Sequence, residues 1–220
     1  MSKGSGMVRP DMATMLAFIT TDADVDHAAL DGALRAAVDA SFNSLNIDGC
    51  ESTNDTVIAM ASGASGVVPD PTDFAAAVED VCRDLAHQMA EDAEGASRVV
   101  TIDLTGASDD VQARALGRTI TDSALVRSSF YGGDVNWGRI LGALGTSDIS
   151  IDPESITISY EEVVVFAGGM QAVYDEDVLL TGLESGDFAV SVILGDGQGT
   201  AHIVTTDLTP EYVIFNGVRS

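Results

Sequence analysis

The order in which apolar spacings change along the chain constrains its fold most. Apolar residues recur at helical intervals in four segments. Ala29, Leu30, Ala33, Leu34, Ala37, Val38 and Phe42 follow the capping aspartates of 22–26, and Phe74, Ala77, Val78, Val81, Leu85 and Met89 share one side of a helix over 73–92. A third helix is expected over 109–125, around Val111, Ala115, Ile120 and Ala124, and a fourth from Trp137 to Leu144. Between them lie short runs with strand character at 14–20, 56–61, 98–104 and 128–131. From Ser155 the texture changes, with β-like runs at 156–160, 163–166, 178–181, 188–194, 201–206 and 212–215. Gly195-Asp196-Gly197-Gln198-Gly199 has the look of a phosphate loop, but no helix follows it, so it reads as a hairpin turn. Helices and strands come in runs and do not alternate regularly. That order predicts an α+β fold of layered sheet and helix, without internal repeats or a marked linker.

With 220 residues and 45% hydrophobic content, the chain can bury a proper core as one large domain or two small ones. Thirty-five acidic residues face ten basic ones, Lys3 being the single lysine, and the formal charge is −25. Such a surface repels nucleic acid and anionic membranes. Acidic residues are dispersed along helices, which predicts a solvated acidic surface, and the scarcity of lysine would suit a halophilic origin. Cys50 and Cys82 stand far apart and read as free thiols; His27, His87 and His202 are scattered singly, so neither a zinc site nor another metal is expected. No run is long and apolar enough to span a membrane and no signal-peptide pattern opens the chain, so a cytoplasmic location is expected.

One stretch carries candidate chemistry. Lys3-Gly4-Ser5-Gly6-Met7 leads through Pro10 to Met12-Ala13-Thr14-Met15-Leu16, so a glycine-rich loop delivers Thr14 to the mouth of a strand. That is where a nucleophile would be placed, although threonine at a strand start is common for packing reasons alone. Glu94, at a helix-to-strand junction, reads by itself as a solvated loop carboxylate. Trp137 reads as a packing anchor, and Arg139 as a structural residue fixing an Asn-Trp-Gly-Arg turn through bonds to backbone.

Together with Ser41-Phe42-Asn43, Asp48-Gly49, Ser52-Thr53-Asn54-Asp55, Glu94-Gly95-Ala96, Asn136-Trp137-Gly138-Arg139-Ile140-Leu141, Asp207-Leu208-Thr209-Pro210-Glu211-Tyr212-Val213 and Asn216, this stretch resembles the ornithine acetyltransferase (glutamate N-acetyltransferase) family. These motifs are short, but their order spans almost the whole chain. The resemblance implies a layered αββα-type sandwich, similar to N-terminal-nucleophile folds. It implies self-cleavage between Ala13 and Thr14, with residues 1–13 the remnant of an α chain. Residues 14–220 would form the β-chain catalytic region, with a smaller β-rich subdomain from about residue 150. It further implies that acetyl passes from N-acetylornithine to Thr14 and then to glutamate, without a cofactor, acetyl-CoA being a possible additional donor. Substrate-binding positions carry over to Lys3, Thr14, Glu94, Asn216 and Ser220. Lys3 suits a carboxylate and Glu94 an ammonium. The family assembly would be an α2β2 hetero-tetramer.

Two departures follow. Family members carry a segment roughly as long again before the lysine-glycine motif, which supplies the oxyanion hole; here it is missing, so the expectation is either a separately made partner or a fragment. The segment from Asn216 to Ser220 is also one residue shorter than the family pattern. Two further readings remain open: an N-terminal-nucleophile aminopeptidase, and a catalytically silent truncated chain.

Overall fold

The computed structural model describes residues 1–7, 15–50, 54–183 and 186–217. It divides into two compact units, Met1–Ala93 and Glu94–Ser220.

The first unit contains β1 (Ser2–Lys3), β2 (Leu16–Thr21), α1 (His27–Ala40), the short β3 (Leu45–Asn46), β4 (Thr56–Ala61) and α2 (Pro71–Glu91). Asp26 caps α1 by accepting the Ala29 amide at 2.8 Å, and Asp70 caps α2 by accepting the amides of Thr72 and Asp73. Pro71 stands in the first turn of α2, where its missing N–H costs nothing. Both helices therefore begin where their aspartates dictate. Along α2, Phe74, Val78, Cys82, Leu85 and Met89 are buried at three- and four-residue intervals, and on α1 the small Ala33 and Ala37 are buried. The sheet order is β1-β2-β4, with β1 antiparallel and β4 parallel to β2.

The second unit contains β5 (Val99–Ala107), α3 (Asp110–Thr121), α4 (Ala124–Gly132), α5 (Trp137–Leu144), β6 (Thr157–Tyr160), β7 (Val163–Ala167), β8 (Met170–Gln171), α6 (Glu176–Leu183), β9 (Phe188–Ile193), β10 (Gly199–Thr206) and α7 (Pro210–Gly217). Its strands follow the order β10-β5-β9-β6-β7-β8, with β5 and β9 parallel and the other pairs antiparallel. Strands after residue 150 thus join β5 in one sheet. Ile102, Leu104, Ile158, Val190 and Val192 from the strands and Leu116, Ile120, Phe130, Ile140 and Leu144 from the helices form one buried cluster. α3 lies close to the sheet at Gly117, where a Cβ would come within 2.5 Å of the Ile203 side chain. Trp137 is a packing anchor as expected, stacked on Phe166 at 4.8 Å between centroids.

Helices and mixed sheets confirm the α+β layered fold, with local corrections. The expected strand at 128–131 is part of α4. Ser123 caps that helix by accepting the Val126 amide, Gly133 ends it in the left-handed region at φ 64°, and Val126 and Phe130, four apart, are buried. The helix expected over 109–125 therefore stops at Thr121. The segment 178–181 is helical within α6, which buries Leu179 and Leu183, and 212–215 lies within α7. The 195–199 loop is not a hairpin turn either, because β9 and β10 lie on opposite sides of β5. The loop passes over the end of β5 so closely that a Cβ on Gly197 would fall 1.9 Å from the Ala107 carbonyl oxygen. Its glycines serve backbone approach.

Candidate active site

Ala13, Thr14 and Ser220 lie outside the described residues. The backbone on either side of 8–14 is held by two carboxylates of the first unit. The Met7 amide donates to Asp48 Oδ2 at 2.6 Å, and the Met15 amide donates to Asp55 Oδ1 at 2.7 Å. The Met15 carbonyl in turn accepts the Thr56 amide at 3.1 Å, which seats it at the head of the β2–β4 pair. Burial raises the Asp55 carboxyl above its usual range, and the Met15 amide pulls it partly back. The approach to the held segment is itself unusual, with Gly4 at φ 145° and Met7 at φ 52°, a left-handed conformation for a residue with a side chain.

Lys3 is exposed on β1, and the register sets it opposite Leu16. Beside it is a cavity of about 500 Å³ lined by Met1, Ser2, Lys3, Gly4, Leu85, Gln88, Met89, Glu91 and Asp92. Apolar Leu85 and Met89 stand there beside the carboxylates of Glu91 and Asp92.

In the second unit the structure brings the Glu94 loop and the start of the Asn216 helix together. Asp207 accepts the Ser97 amide at 2.9 Å and the Ser97 hydroxyl, and Thr209 donates its hydroxyl to the Gly95 carbonyl. The same Thr209 oxygen accepts the Tyr212 amide at 3.0 Å and so caps α7. Buried Arg127 fixes the far side, donating to the Thr206 carbonyl at 2.8 Å and to the Asp207 carbonyl at 3.0 Å. Gly95 has φ 69°, and a Cβ there would stand 2.4 Å from the Tyr212 nitrogen. Only glycine fits. Half-buried Glu94 therefore adjoins the α7 contact, and Asn216 follows Tyr212 by one turn, its amide donating to the Tyr212 carbonyl at 3.1 Å.

Arg139 is structural as expected, donating to the Leu125 carbonyl at 2.9 Å while Asn136 caps α5. Cys50 is exposed, Cys82 buried, and both are free; burial pushes the Cys82 thiol up to about 11. Among the described residues neither unit by itself gathers three groups able to hold a metal ion, and no helix is long and apolar enough to cross a membrane. Sequence reasoning missed the holding roles of Asp48, Asp55, Arg127, Asp207 and Thr209. Only Thr209-Pro210-Glu211 carried a readable signal, that of a helix start.

The fold and these pinned loops define an α+β protein with polar motifs set at strand and helix ends. A model described as the ArgJ family matches residues 1–219. A relative from Mycolicibacterium paratuberculosis named arginine biosynthesis bifunctional protein ArgJ is 46% identical over 220 residues, covering 100% of this chain and 54% of the relative. One of the same name from Geobacillus stearothermophilus is 41% identical over 221 residues, covering 98% and 54%. The crystal structure of arginine biosynthesis bifunctional protein ArgJ from Bacillus halodurans matches with a TM-score of 0.87 at 38% identity, over 93% of this chain and 99% of that one. The chain belongs to the ArgJ family. It spans about half the length of the curated relatives it matches.

Proposed function

We propose that this chain is the nucleophile-bearing part of an acetyltransferase of arginine biosynthesis, moving acetyl from N2-acetyl-L-ornithine to L-glutamate through Thr14. The observation that carries the reading is the pair of carboxylates, Asp48 and Asp55, that hold the backbone just before and just after the segment containing Ala13 and Thr14. A peptide that must attack itself needs its ends fixed.

In this reading the Thr14 hydroxyl attacks the Ala13 carbonyl and the Ala13–Thr14 amide bond breaks, leaving an ester and a free Thr14 amine. Water then cleaves the ester. The new α-amine, with an ordinary pKa of about 8, takes the hydroxyl proton as Thr14 attacks the acetyl carbonyl of N-acetylornithine, and passes it to the departing ornithine amine. The amine of glutamate next attacks the Thr14 ester and restores the hydroxyl. Lys3 holds a substrate carboxylate and Glu94 an ammonium, with Asn216 and Ser220 hydrogen-bonding. Acetyl-CoA can serve as a second donor, which would make the protein bifunctional. The oxyanion donors come from an N-terminal α chain, the working assembly is α2β2, and the location is the cytoplasm.

The solved Bacillus halodurans chain is consistent in extent with this chain. This chain covers 99% of it but only about half of the curated relatives. The test is an assay of glutamate acetylation with the N-terminal part of a relative co-produced. Transfer is expected, falling about a thousandfold or more in Thr14→Ala. Undiminished transfer by that variant would remove Thr14 as nucleophile.

A further inference from the structure

The loops at one end of the first unit's parallel strands enclose a second cavity. β2 and β4 run parallel, so the segments that leave them, 22–26 and 62–70, emerge side by side and enter α1 and α2 from the same end. These segments are tied to each other. The Asp24 amide donates to the Val67 carbonyl at 2.8 Å, and Ser65 donates its amide at 3.0 Å and its hydroxyl at 2.8 Å to the Asp22 carbonyl. Pro69 and Pro71 stiffen the entry to α2. Behind the loops, α1 presents only Ala29 and Ala33 to the space in front of Phe74, and such short side chains do not fill it. A cavity of about 270 Å³ results, with Ala33 and Phe74 as its buried floor, 7% and 9% exposed, and Val25, Val68 and Pro69 around its mouth.

The chemistry of this cavity is two-sided. Its walls are apolar, and Val68 is 75% exposed at the edge. The exposed carboxylates of Asp24 and Asp26 stand at the same opening, and no basic residue lines the cavity or occurs in 22–26 or 62–70. The positive ends of α1 and α2 lie near, but Asp26 and Asp70 already take their first amides. The carboxylates therefore set the sign of the opening, within a chain whose formal charge of −25 draws cations to its surface.

We propose that this cavity binds a small organic cation, an amine or guanidine carried on an apolar chain or ring. Its apolar part lies against Ala33, Phe74 and Val68, and its head pairs with Asp24 and Asp26. A pocket of apolar walls with a few placed charges holds a ligand by burying the body and pairing the head. A neutral molecule of the same shape gains only the walls, and an anion meets two carboxylates. The site is separate from the catalytic segment: Thr14 precedes β2, the cavity follows it, and the six residues of β2 span about 20 Å. The inference does not rest on the functional reading above.

The experiment titrates the isotope-labelled chain with phenethylammonium chloride and follows its amide resonances, with 2-phenylethanol and 3-phenylpropionate as the neutral and anionic counterparts. Saturable shifts at Val25, Ala33, Val68 and Phe74 are expected, with the alcohol about three- to tenfold weaker and the propionate without effect. Asp24→Asn should weaken the ammonium about two- to fivefold and leave the alcohol unchanged. Asp80→Asn, the same change of charge at an exposed position on α2 outside the cavity, should alter neither. Ala29→Leu, at an exposed helical position where leucine is nearly as good a helix former, should fill the cavity and abolish binding of both while the urea midpoint stays near the parent's. Calorimetry on the chain co-produced with the N-terminal part of the Mycolicibacterium relative should find the same site. Shifts that spread over the acidic surface without saturating would overturn the proposal, as would equal binding of ammonium and alcohol. Binding that survives Ala29→Leu, or that disappears when the N-terminal part is present, would do so too.

Discussion

At Asp55 a single bond, from the Met15 amide at 2.7 Å, sets the path of the chain one residue beyond Thr14. Asp55→Ala removes that acceptor, whereas Asp55→Asn keeps one. Self-cleavage is therefore expected to slow by about ten- to a hundredfold in the alanine variant and to change little in the asparagine variant, read from the rate at which the 14–220 product accumulates. The carboxyl also has a signature in stability. Burial raises its pKa in the fold, so its contribution is fully present below the unfolded value of about 3.9 and is lost as pH rises through the folded value. Asparagine does not ionise. Urea midpoints of Asp55→Asn and the parent should thus be closest near pH 3, with the variant pulling ahead toward pH 6; a constant gap would contradict the cause given for the shift.

At the scale of elements, the Glu94 loop and α7 behave as one piece because Gly95 lets them touch. Gly95→Ala must place a Cβ 2.4 Å from the Tyr212 nitrogen at φ 69°, and neither backbone has room to yield. A loss of about 1–3 kcal/mol is expected in urea unfolding. Gly142→Ala, mid-helix in α5 with nothing within 4 Å of the added carbon, should instead stabilise by up to about 1 kcal/mol. What could be read from the sequence follows the same physics. The helix expected from about Trp137 to Leu144 is found at those bounds, capped by Asn136. The four-residue windows at 128–131, 178–181 and 212–215 were not legible, because so short a run of β-formers looks alike in a strand and in one turn of helix. Their true state is set by caps outside the window, Ser123 and Thr209 among them. For the site, Thr14, Lys3, Glu94 and Asn216 came from resemblance to a family, not from spacing. The pins Asp48 and Asp55 sit about forty residues from the amides they hold, a distance no local pattern spans.

Across the whole molecule, a strongly acidic composition coexists with an exposed apolar sheet face in the first unit. The formal charge is −25, yet Ile58 and Met60 leave an apolar face exposed among the described residues. Relatives about twice as long carry an N-terminal part that has no counterpart in this chain. The measurement that bears most directly on the central claim is peptide mass analysis of the complex with that N-terminal part after brief incubation with N-acetylornithine and no glutamate. The account predicts a fragment beginning at residue 14 that carries one acetyl group on Thr14 and loses it when glutamate is added. A chain uncut at Ala13–Thr14, or an acetyl group that sits elsewhere and still reaches glutamate, would contradict it.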